Sequence, residues 1–413
     1  MKHYRLICLF LLFVSSHTII GYAKSYHGHI TYNSYRGLVM AGYQGWHNTE
    51  GDGANRGWRH YEKSNNIFKP GFAHNDLWPD VLEYEKVYPT EFKFDDGSTA
   101  NVYSAYDAST VDTHFRWMKE YGLDGVFMQR FVTEIRNPSG LHHFNKVLAS
   151  AMEAANRYDR AISIMYDLSG MNKGEEEIVI SDIKKLAQEY HLFNHDKNPS
   201  YLYHNGHPLI AVWGVGFNDN RKYGLPEANR IIDELKSMGF SVLIGVPTHW
   251  RKMEIDTENN SGLHTLIRKC DVVMPWFVGR YNEETYVKYH SLIKKDMAWA
   301  KKNKVDYAPL CYAGFSWHNM HYPQQGTFFV NRNKGSFYQK QLDFVIENGA
   351  SMIYIAMFDE IDEGTAIYKI ARKVPTAVSG SEFVPLEEGL PSDFYLKMTG
   401  EAATKLKVKL FKH

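Results

Sequence analysis

Met352-Ile353-Tyr354-Ile355-Ala356-Met357-Phe358-Asp359-Glu360-Ile361-Asp362-Glu363-Gly364-Thr365 is an apolar run that ends in four carboxylates within five positions. A run this short reads as a buried strand. Charges at its C-terminal end lie where a parallel α/β sheet places its site. Glu360 and Glu363 are three apart. One turn of helix after the strand puts both on one face, about 5–6 Å apart at Cβ, whereas a continued strand sends them to opposite faces. The close arrangement is the one a two-carboxylate glycosidase needs. A solvated acidic loop is the bland alternative, and the buried strand in front of the cluster argues against it.

Seven more apolar, β-branched runs precede this one: Gly37–Gly42, Gly125–Met128, Ala161–Tyr166, Leu209–Trp213, Ser241–Val246, Val272–Trp276 and Tyr307–Tyr312. Helical periodicity fills most of the gaps, over Val111–Tyr121, Leu141–Asn156, Ile178–Tyr190, Leu225–Met238, Glu283–Lys304 and Phe337–Asn348, with Gly122, Gly239 and Gly349 as stop signals. Alternating strands and helices mean a parallel sheet. Eight units predict an α/β fold of the (β/α)8 TIM-barrel type, and no phosphate-binding glycine motif follows the first strand to favour an open sheet. Residues 44–105 are rich in Gly, Asn, Asp, Tyr and Trp and show little helical periodicity, so they read as a long first βα loop over the barrel mouth. The tail from Pro375 is polar and punctuated, with a basic end at Lys405–His413, and reads at most as a small edge element. No repeat or low-complexity linker divides residues 24–413, which read as one domain.

Lys+Arg and Asp+Glu are both 47 in 413 residues, so no basic excess points to nucleic acid. Aromatics make up 15%, and flat rings suit the apolar faces of sugars as well as a core. Lys2 and Arg5, the apolar Leu6–Val14 and the small residues around Gly21-Tyr22-Ala23 read as a signal peptide over residues 1–23, cleaved near Ala23. The expected product is a secreted or periplasmic monomer without a membrane span. Cys270 and Cys311, the cysteines left after cleavage, sit beside apolar runs and read as buried free thiols rather than a bridge or a metal site.

Residues just after each run should line the mouth. They are Tyr43, Gln44 and Trp46; Gln129 and Arg130; Asp167; Trp213; His249 and Trp250; Trp276, Arg280 and Tyr281; Trp317, His318 and Asn319; and Glu360 and Glu363. Aromatic, amide and carboxylate groups recurring at strand ends suit a polyhydroxylated ligand. Other chemistries fit less well. No H-E-x-x-H occurs among the 20 His, and the adjacent His142 and His143 cannot share a helix face. Ser316 lacks the flanking glycines of a nucleophile elbow. A metal site would have to be built on Asp76 and Asp80, and neither metal nor other cofactor is implied.

The segment Phe358–Thr365 resembles the Asn-Glu-Trp-His-Glu-Gly-Thr type segment that follows the last strand of the endo-α-mannosidase/endo-α-mannanase glycoside hydrolases, families 99 and 71 and their 71/99-like relatives. The two Glu, the Gly and the Thr match in spacing. Gly42-Tyr43-Gln44-Gly45-Trp46 and Asp76-Leu77-Trp78-Pro79-Asp80 are similar to other parts of the same group, and the resemblance runs from about residue 35 to 375. It implies a (β/α)8 barrel that cleaves α-linked glycans with retention. By motif matching Glu360 is the base acting on the sugar 2-hydroxyl, and Glu363 the acid/base toward the leaving group. Asp76 and Trp78 join the expected substrate-binding set. Asp359, Ile361 and Asp362 depart from the Asn, Trp and His of the group. Extra carboxylates raise the pKa of their neighbours, which would help keep Glu363 protonated or signal a different substrate. A non-catalytic glycan-binding protein on a degenerate barrel is the alternative expectation.

Overall fold

The structure is a computed structural model that describes residues 30–324 and 329–411. The expected signal peptide lies outside the described residues. The first six strands are β1 (Val39–Tyr43), β2 (Gly125–Phe131), β3 (Ala161–Asp167), β4 (His207–Trp213), β5 (Ser241–Val246) and β6 (Val272–Pro275). A split β7 follows, with pieces Asp306–Tyr307 and Leu310–Tyr312, and then β8 (Ile353–Ala356). Each strand pairs in parallel with its neighbours. The two ends of the sheet are the two pieces of β7: the first pairs with β6 and the second with β8, so the sheet curls back on itself. Pro309 sits at the switch of partners. A proline can stand there because that position donates no ladder hydrogen bond, while its carbonyl accepts from Tyr354 N–H at 3.0 Å.

Helices alternate with the strands: α1 (Ala108–Tyr121), α2 (Pro138–Tyr158), α3 (Glu176–Glu189), α4 (Leu225–Ser237), α5 (Gly262–Lys269), α6 (His290–Lys302), α7 (Ser336–Glu347) and α8 (Phe394–Phe411). The fold is thus the expected α/β barrel, with two corrections. The two-turn α5 was not expected from periodicity. The tail is no edge element: α8 packs beside α1, α7 and β1 and completes the eighth unit. Gly400 lies inside α8, against the carbonyl of Tyr121, where a Cβ would collide.

Strand parity positions the site. Gly42 faces the barrel interior, where a side chain would strike the Tyr354 hydroxyl and Met357. Its neighbour Tyr43 therefore faces out, with its hydroxyl 2.8 Å from His114 Nδ1 of α1. The β1 loop carries a hairpin, Tyr88–Lys93 paired with Thr99–Val102, and packs Phe68, Trp78 and Phe92 together, closed by Phe383 of the tail. Cys270 and Cys311 are buried free thiols. No helix of the described residues is long and apolar enough to cross a membrane.

Candidate active site

The chain leaves β8 at Ala356 and turns back on itself. Thr365 and Ala366 both donate their N–H to the carbonyl of Glu360, at 3.1 and 3.0 Å, so residues 361–364 form a closed turn rather than a helix. Gly364 adopts φ +67, and any Cβ there would press on Ser316 at 3.1–3.2 Å. A left-handed residue in that contact must be glycine.

Every side of this turn is tied. Asp76 and Leu77 of the β1 loop donate their N–H to Ile361 O, each at 3.0 Å, and Ser316 N–H donates to Glu363 O at 2.9 Å. Arg332 is buried and donates from Nη2 to the carbonyls of Gly364 (2.8 Å) and Ala366 (2.7 Å), with its guanidinium over the Tyr395 ring. Asp359 accepts the N–H groups of Gln44 (2.7 Å) and Gly45 (2.9 Å), which fastens the start of the β1 loop to the acid turn.

The two glutamates sit in different surroundings. Glu360 is buried; its Oε1 accepts from Gln44 Nε2 and its Oε2 from the Thr365 hydroxyl at 2.5 Å. Two donors on two oxygens suit a carboxylate. Burial and the charges of Glu363 and Asp362 nevertheless push its pKa well up. Glu363 is half-buried and opens onto a cleft of about 290 Å³ lined by Trp276, Gly279, Arg280, Phe315 and Trp317. Burial raises its carboxyl to about 7; the Trp317 indole beside it opposes the rise, without a hydrogen bond of ordinary geometry, and Asp167 adds to it. Asp359 stands at about 6, raised by burial against its two amide bonds. Burial and Glu363 push Asp362 well up; among the described residues its side chain pairs with His60 Nδ1 at 3.4 Å. Glu360, Asp362 and Glu363 titrate as a group, with protons still held near neutral pH.

The other residues expected at the mouth divide by parity and depth. Gln44, Asp167, Trp276 and Trp317 stand with the acid pair. Trp213 lies 5.1 Å from Trp276, ring to ring. Trp46 stacks flat on His60 at 3.8 Å. Gln129 forms part of the barrel floor, bonded to Met165 Sδ (3.0 Å) and the Tyr354 hydroxyl (3.3 Å). Among the described residues the indole nitrogens of Trp46, Trp213 and Trp317 and the amide oxygens of Gln44 and Gln129 have no hydrogen-bond partner. Unpaired buried polar atoms gathered from the floor to the mouth of one barrel call for a polar partner.

The structure turns several expected binding residues away. Arg130 points out of the barrel, its Nε and Nη2 on Asp182 of α3 at 2.7 and 2.6 Å, because Gln129 before it points in. Tyr43 faces α1. Trp250 is fully buried against Trp299, and Tyr281 packs on Tyr312 with its hydroxyl on Gln341 at 3.2 Å. Trp78 is interior to the β1 loop, its indole N–H on Asn101 O. Asp76 uses its carboxylate on the N–H groups of His318 and Asn319, both 2.7 Å, and so braces the turn from below. His318 points its ring at Glu382, 2.9 Å away on the exposed surface. His249 is held by Asp256 at 3.0 Å. Among the described residues no group of three or more His, Cys, Asp and Glu is arranged to hold a metal. Arg332 and Asp256 went unmarked because no local motif surrounds them.

An eight-stranded α/β barrel with an acid turn after its last strand is thus the class that fold and site define. No family model matches the chain. It is similar to the glycoprotein endo-alpha-1,2-mannosidase of Rattus norvegicus, 20% identical over 310 residues, 73% of this chain and 62% of that one. The Mus musculus protein of the same name is 20% identical over 320 residues, with the same shares. The chain therefore spans about three-fifths of the length of these relatives. Among solved structures it is similar to the GH99 endo-alpha-mannosidase from Bacteroides thetaiotaomicron, TM-score 0.63 at 14% identity, over 91% of this chain and 98% of that one. The same enzyme in complex with BIS-TRIS-propane gives 0.64 at 15% identity, over 92% and 99%.

Proposed function

We propose that the protein is an exported retaining glycoside hydrolase that cleaves α-linked, mannan-like glycans. The observation that carries the reading is the unequal pair on one clamped turn: Glu363 in an open aromatic cleft with a pKa near neutral, Glu360 behind it with a donor on each oxygen. A carboxyl that keeps its proton to about pH 7 serves as general acid toward the leaving oxygen. Its neighbour Glu360 has a donor on each oxygen, which stabilises the carboxylate it must become to serve as the base or nucleophile at the sugar. The likeness to endo-alpha-mannosidases supports α-mannosidic linkages and an endo mode of attack, and the signal-like start supports export.

Purified protein incubated with α-mannan and α-manno-oligosaccharides should release shorter oligosaccharides with retained anomeric configuration, followed by NMR from the first minutes. Inversion would contradict a close acid pair, since inverting enzymes separate their carboxyls by roughly 6.5–9.5 Å. Tight binding of these sugars without cleavage over days would favour the non-catalytic reading, which the altered positions Asp359, Ile361 and Asp362 motivate. Size comparison of the secreted and cytoplasmic forms tests processing near Ala23.

A further inference from the structure

Across the cleft from the acid turn, one carboxylate gathers three loops. Asp256 lies after β5. It accepts the N–H groups of Thr248 and His249, each at 3.1 Å, and His249 Nδ1 at 3.0 Å. Arg280, after β6, places Nε 3.3 Å from Asp256 Oδ2, and Asn218, after β4, donates its N–H to the Asp256 carbonyl at 3.0 Å. Burial works to raise Asp256, but the His249 bonds and the Arg280 charge outweigh it and hold the carboxyl at about 2. It is an anion at neutral pH.

This fixes what Arg280 offers. Nε forms an ion pair with Asp256 at 3.3 Å, and the terminal nitrogens donate no hydrogen bond among the described residues. Arg280 lines the same cleft as Glu363, together with Trp276, Gly279 and Trp317. A guanidinium held by one edge presents a planar fork of donors at its other edge. Asp256 cancels the charge of Arg280, so the pair as a whole is neutral. A guanidinium whose charge is balanced by its own carboxylate, beside two indole rings, favours the adjacent hydroxyls of an uncharged sugar over a sulfate or phosphate group.

We propose that Arg280 is a substrate-binding residue that grips a pair of neighbouring sugar hydroxyls in the cleft facing Glu363, and that Asp256 is the positioning residue that aims it. The inference rests on the glycan-hydrolase reading above and adds the residue that decides how the sugar sits.

The test uses the full chain carrying Glu363→Gln, with binding of neutral α-manno-oligosaccharides measured by calorimetry. Adding Arg280→Met should weaken binding about 10- to 100-fold, the worth of a lost hydrogen bond to a charged group. Arg280→Lys should recover only part of it, since an ammonium lacks the fork. Asp256→Asn should weaken binding in the same sense, and in the active enzyme the loss should fall more on KM than on kcat. Equal affinity with and without Arg280→Met, at unchanged Tm, overturns the inference and leaves the hydrolase reading standing. A loss with Asp256→Asn but none with Arg280→Met also overturns it, because Asp256 would then act on the fold alone. Failure of the Glu363→Gln protein to bind any of these sugars overturns both the inference and the reading it rests on.

Discussion

The two walls of the barrel mouth are built on opposite plans. The acid wall is a turn whose carbonyls are tied one after another: Ile361 by Asp76 and Leu77, Glu363 by Ser316, and Gly364 and Ala366 by Arg332. The facing wall, from the ends of β4 and β6, is made of large side chains, Trp213, Trp276 and Arg280, and the Trp213 indole nitrogen has no hydrogen-bond partner among the described residues. One wall fixes backbone so that two carboxyls cannot drift; the other displays surfaces a ligand can use. Substitutions in the acid wall should therefore act on kcat, and those in the facing wall on KM.

The largest effects should come from the carboxyls. Glu363→Gln is expected to lower kcat by about 10²- to 10⁴-fold, the ordinary worth of a general acid, and Glu360→Gln by a similar factor. Steady-state rates on α-manno-oligosaccharides measure both. Near-normal turnover in either would remove that residue from the chemistry and erase the distinction between the walls.

Arg332→Met comes next. Two buried carbonyls would lose their donor, at about 1–3 kcal/mol each in stability, and the turn would loosen under Glu363. We expect kcat to fall about 10- to 100-fold with little change in KM, and Arg332→Lys to restore part of it. A change confined to KM would mean that Arg332 belongs functionally to the facing wall.

The pH dependence of stability gives a third test. Glu363 has its carboxyl raised from about 4.5 to about 7 by burial. A raised carboxyl favours the fold in its protonated form, so its contribution is complete below pH 4.5 and is lost as pH rises through 7. Glu363→Gln cannot ionise. Its Tm relative to the natural protein should therefore climb between pH 4.5 and 8, as scanning calorimetry would show. A constant difference would mean that Glu363 is not held in a low-dielectric site.

Much of the barrel was legible because parallel strands buried on both faces read as continuous apolar runs. The eighth helix was not, since Gly400 in its middle looks like a breaker until Tyr121 is seen to need the space. The placement of the acids on a turn after the last strand was legible because an apolar run and a charge cluster coincide in one short segment. The binding set was less so. Gln129 and Arg130 are adjacent, and alternation says they face opposite ways, but only the packing of Asp182 on the outer side decides which faces in. Arg332 and Asp256 gain their roles from partners far along the chain, Gly364 and Arg280 among them, and no local pattern announces such pairings.

The smallest expected effect belongs to His318, which follows β7 and stands at the edge of the acid wall. Its backbone N–H serves Asp76 at 2.7 Å, whereas its ring turns to Glu382 with both side chains about half exposed, at 41% and 53%. An exposed pair of this kind contributes little. His318→Ala keeps the backbone bond, so Asp76 still braces the turn and Glu363 keeps its place. Stability should stay within about 0.5 kcal/mol and kcat/KM within about twofold. A tenfold loss in kcat/KM, carried by KM, would show that the ring reaches substrate. The acid wall would then bind as well as react, and the division between the walls would hold for the backbone but fail for the side chains.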